Sequence, residues 1–139
     1  MSEFGKGLVI CLVKFAEHFE RDGPTGIRGL IQGHWTDFHK KCCNEVYDGD
    51  KEKYISHQIE LWAYGASDHL YEIRVPEGKE WNTIRKKVKK LQQKGLEMGH
   101  GFTNKKWTKE DFLELIRWTR EIALMIDRKI GLKPDIGKW

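Results

Sequence analysis

The chain has 139 residues, 33% of them charged, with a net charge of +4, six tryptophans and three prolines. That length predicts one domain, residues 1–139, with a sizeable core, and the aromatic content argues against a disordered chain. Cys11, Cys42 and Cys43 form no CxxC, which argues against a disulfide framework and for a reducing, cytoplasmic setting.

The first predicted helix runs from Glu3 to Arg21. Phe4, Leu8, Cys11, Leu12, Phe15 and Phe19 recur at steps of three and four. Val9, Ile10 and Val13 widen the apolar surface, so a strand over residues 7–13 is the competing reading. The apolar run is too short to span a membrane and is closed by Lys14. It lacks the basic flank of a signal peptide. Asp22-Gly23-Pro24 ends the element.

From Thr25 to Tyr47, Ile27, Leu30, Ile31, His34, Trp35, Phe38 and Cys42 keep helical spacing. Gly26, Gly29 and Gly33 weaken the first half, predicting an irregular turn and then a helix capped by Thr36. Asp48-Gly49-Asp50 reads as a turn.

The central helix is predicted over Tyr54 to Val75. Ile55, Ile59, Trp62, Ala66, Leu70 and Ile73 fall on one stripe at about 100° per residue. His57, Glu60, Tyr64, Asp68 and Tyr71 point away from it, and His69 and Glu72 lie between. The small run Ala63, Gly65, Ala66, Ser67 suits a close helix crossing. Pro76-Glu77-Gly78 closes the helix.

A fourth helix, Glu80 to Gly99, carries Trp81, Ile84, Val88, Leu91, Gly95, Met98 and Phe102 as a heptad-like seam. Residues 79–94 hold Lys79, Arg85, Lys86, Lys87, Lys89, Lys90 and Lys94 against Glu80 alone. Seven cations and one acid give +6 here, which leaves −2 for the rest of the chain. Gly99-His100-Gly101 reads as a loop. The last helix opens on a capping box of Thr108 and Asp111, flanked by Trp107 and Phe112. Its stripe is Phe112, Leu115, Ile116, Thr119, Ile122, Ala123, Ile126 and Ile130, and Gly131 ends it. Leu132, Ile136 and Trp139 predict a docked tail. Leu113, Trp118, Leu124 and Met125, with Val9 and Val13, leave apolar surface that suits a homo-oligomer. The expected fold is an all-α compact bundle of four to five helices.

Three chemistries fit these residues. The leading one is a non-enzymatic binding protein whose basic helix, through Arg85, Lys86, Lys87, Lys89, Lys90 and Lys94, takes nucleic acid or an acidic protein. Trp81 and Trp107 would be stacking platforms. The plainer reading of these charges is a solvated face. The alternative is a metal-dependent hydrolase using zinc, iron or manganese, with ligands drawn from His57, Glu60, Asp68, His69, Glu72 and His34. Asp37 and His39, and Glu17, His18 and Glu20, lie on the preceding segments. His57 and Asp68 are about 16 Å apart along a straight helix and cannot share an ion. The pairs read HxxE, the reverse of the di-iron ExxH, and the plainer reading makes them surface groups and capped core histidines. The third is a structural oligomer subunit. Nucleophilic catalysis has only Cys42 or Cys43 beside His39, with Cys42 expected to be buried, and His100 as a loop histidine. Glu17-x-x-Glu20 lacks the second acidic motif that an all-α pyrophosphohydrolase needs.

Overall fold

α1 (Glu3–Glu17) stops one turn short of the expected Arg21. Its Leu8, Leu12, Phe15 and Ala16 are buried, Phe19 is buried in the turn that follows, and Ile10 stays half exposed. Residues 7–13 are therefore helical, because a single face of that apolar run is covered by neighbours. The computed structural model describes residues 3–101 and 105–137, residues 3 and 4 by their place in the helix alone. The Phe4 side chain, Phe102 and Trp139 lie outside what is described, so their predicted roles are set aside.

A 3-10 turn (Gly23–Thr25) leads to the short α2 (Ile27–Ile31), and α3 spans Asp37–Tyr47. The Thr36 hydroxyl accepts from the His39 backbone N–H at 3.3 Å, the expected cap. The predicted stripe is out of phase here. Inward positions on α3 are His39 and Cys43, while His34 and Phe38 are exposed and Cys42 is only partly covered. The chain breaks helical geometry at Gly33, whose φ is +87°, so the phase of α2 does not carry into α3.

α4 (Lys51–Glu72) begins three residues before the expected Tyr54, because the Asp50 carboxylate accepts from Lys53 N–H at 3.2 Å. It ends before Val75 because a residue preceding proline disfavours helical geometry. The Gln92 amide covers the freed end, donating to Leu70 O at 2.8 Å and Ile73 O at 3.3 Å.

After a 3-10 turn (Lys79–Trp81), α5 (Asn82–His100) runs through Gly99 and His100, so these residues are helical and not the expected loop. Gly101, at φ +59°, supplies the left-handed end. The seam is as expected: Trp81, Ile84, Val88, Leu91, Gly95 and Met98 are all buried. α6 (Lys109–Ile130) has the predicted capping box, and Gly131 closes it at φ +67°. Beyond it Pro134 is buried, Ile136 packs on the core, and Arg120 donates to Gly137 O at 3.4 Å. The described part of the tail is docked.

α4 packs on α1, α3 and α5, and α6 packs on α1 and α5. The architecture is an all-α compact bundle. Phe15, Phe19, Trp62 and Phe112 make edge-on and tilted ring contacts at its centre. Among the described residues no helix is long and apolar enough to cross a membrane.

Candidate functional site

The six basic residues of α5 divide by what their heads touch. Arg85 donates to Asn82 Oδ1 at 2.7 Å and to Pro76 O, pinning the chain that enters the helix. Lys87 lies 3.4 Å from Glu121. Lys94 is largely covered, 3.6 Å from Glu114 and 3.9 Å from Asp111, with its ammonium 5.6 Å from the Trp107 and Trp118 ring centres. Lys87 and Lys94 thus fasten α5 to α6.

The other three are different. Lys86 and Lys89 are exposed and form no ion pair or hydrogen bond with a described residue. Lys90 is exposed, with its ammonium 4.4 Å from the Trp118 ring centre and no acidic partner among the described residues. At about 100° per residue these three occupy an arc of roughly 100°, and about 6 Å of helix length separates the first from the last. Lys79 is exposed at the preceding turn. Of the expected stacking platforms, Trp81 and Trp107 are buried and cannot receive a base. Trp118 is the partly exposed ring on this side.

The predicted metal ligands scatter. His34 is exposed between α2 and α3, and Asp68 and Glu72 are exposed along α4. His57 is exposed and hydrogen-bonded to the Tyr47 hydroxyl. Among the described residues no three His, Cys, Asp or Glu side chains converge on a point where they could hold an ion. His69 meets a residue that is not among the six predicted ligands: His18, just past the end of α1, with ring centroids 4.7 Å apart. Spacing carries no signal for a pair separated by 51 positions. Trp62 brings the two elements together, its indole N–H donating to His18 O at 2.8 Å.

His39 is a capped core histidine, as the plainer reading has it. Its Nε2 donates to Pro24 O at 3.1 Å, which leaves Nδ1 to accept from the Tyr54 hydroxyl at 2.8 Å. Cys43 is buried, and burial pushes its thiol pKa up, which disfavours a thiolate.

A cleft of about 310 Å³ opens between the end of α1, α2, α3 and α4. Ile27, Leu30 and Trp62 line it, and exposed Phe38 and Leu61 flank it. On α6, Leu113 and Leu124 are exposed on one line, with Arg117 and Arg120 at intervening positions that interrupt an apolar patch. No family model matches this chain, and no curated protein or solved structure does.

Proposed function

We propose that this chain is a binding protein for polyanions, with the phosphate backbone of nucleic acid as its partner and the outer face of α5 as its contact. One observation carries the reading. The flanking cations of the helix have partners within the chain, while Lys86, Lys89 and Lys90 form a short stripe with no acidic partner among the described residues. Lysine ammonium groups neutralise phosphates without reading bases. The short reach of the stripe fits contact with about three phosphates.

The reading is tested by fluorescence anisotropy of labelled single-stranded and duplex DNA of scrambled sequence, measured across a salt series. Three neutralised phosphates give a slope of log K against log salt of about −2 for single strands and nearer −3 for duplex. Affinity should be indifferent to sequence. Absence of binding at low salt, or binding that does not weaken with salt, contradicts the proposal.

A further inference from the structure

Away from α5, the molecule holds two imidazoles on different elements at close range. His69 lies in the last turn of α4 and His18 just beyond α1, with ring centroids 4.7 Å apart and planes tilted by 51°. Nδ1 of His69 is buried and has no hydrogen-bond partner among the described residues. The His18 ring has no hydrogen bond to any described residue. Both rings line one solvent-open hollow with Lys14, Glu17, Glu20 and Arg21.

We propose that His18 and His69 form a two-imidazole site for a divalent transition metal of the copper, nickel and zinc class. An imidazole nitrogen binds such ions at about 2.0–2.1 Å, which puts each ring centre about 3 Å from the ion. With one nitrogen of each ring turned to the ion, centroids 4.7 Å apart subtend an angle of about 100°, between square-planar and tetrahedral values. Ligation requires neutral imidazole. Glu17 is an exposed carboxylate on the hollow, while Glu20 is held by Arg28 at 2.6 Å. Lys14 and Arg21 oppose a cation there, and among the described residues no third protein ligand converges. The bound ion therefore keeps open positions for water.

The site is independent of the α5 stripe, and its test does not involve nucleic acid. Untagged protein is titrated with copper(II), nickel(II) and zinc(II) by calorimetry, and histidine ring signals are followed by NMR during the zinc titration. The expected result is one ion per chain, copper tightest, with the His18 and His69 signals shifting together. Affinity should fall as pH drops and protons compete. H18Q and H69Q should each weaken binding by at least about tenfold, since even outer-shell changes cost that much. H34Q and H57Q should leave it unchanged. No saturable binding, movement of only one of the two rings, or full affinity in both H18Q and H69Q overturns the proposal. Should either variant fail to fold, the ring signals of the unmodified protein decide.

Discussion

Gly95 of α5 faces Leu70 of α4 with no room for a side chain, since a Cβ on Gly95 would lie 2.2 Å from Leu70 Cδ1. One turn later, a Cβ on Gly99 would lie 3.0 Å from the Tyr64 backbone nitrogen. These glycines set how closely the two helices approach, and so how the basic stripe is presented. Gly65 on α4 is the opposite case, with open space where a Cβ would go. Alanine at Gly95 and Gly99 should lower stability, because overpacking costs about 1–3 kcal/mol against a helix-propensity gain of about 1 kcal/mol. G65A should gain up to about 1 kcal/mol. Urea midpoints check this, and a G95A midpoint at or above the parent's would show that the crossing relaxes.

The buried Tyr54–His39 hydrogen bond ties α4 to α3 and, through Pro24, to the turn before α2. Y54F leaves His39 Nδ1 without a donor and should cost about 1–3 kcal/mol. Y47F removes the contact to exposed His57 and should cost less. Burial, with Cys42 as the next cause, pushes the Tyr54 pKa up to about 12. Ultraviolet titration should find a phenol still protonated after the exposed tyrosines have ionised, and a single transition of all four centred at the ordinary value of 10 would contradict the buried geometry.

Acid should destabilise the fold in two separate windows. Burial raises the Asp111 pKa, but hydrogen bonds from Thr108 and Lys105 outweigh it and hold the carboxyl below its ordinary 3.8. With the folded value below the unfolded one, this contribution is complete above about 3.8 and is lost as pH falls through the folded value. His18 sits below its ordinary 6.5, chiefly through burial and then through His69. Protonation there favours the unfolded chain, so stability falls as pH drops below about 6.5 toward the lower folded value. In stability–pH curves, H18Q should flatten the upper window and D111N the lower. Unchanged slopes in both variants would show that other groups govern acid unfolding.

The elements of strongest periodicity were legible in the sequence. The α5 seam and the α6 stripe are buried nearly residue for residue, because one uninterrupted phase runs through each. α3 and its Thr36 cap are legible too, but its inward face is not, because Gly33 breaks the phase between Leu30 and Phe38. The close crossing was read from small residues on α4, yet the glycines that need the space, Gly95 and Gly99, stand on α5. The surplus charge of residues 79–94 was visible in the sequence. Its division was not, because Glu114 and Glu121 reach Lys94 and Lys87 only through tertiary packing. The His18–His69 contact was hidden for the same reason.

The central claim is that three lysines, rather than net charge, bind the polyanion. The most direct measurement compares K86E/K89E/K90E with K40E/K41E/K53E, which makes the same charge change at exposed positions of α3 and α4. Both are titrated against labelled single-stranded DNA at low salt, with helical content checked by circular dichroism. The account predicts that the α5 variant stays folded and loses binding, while the control keeps most of its affinity. Equal loss in both variants, or full binding by the α5 variant, would contradict it.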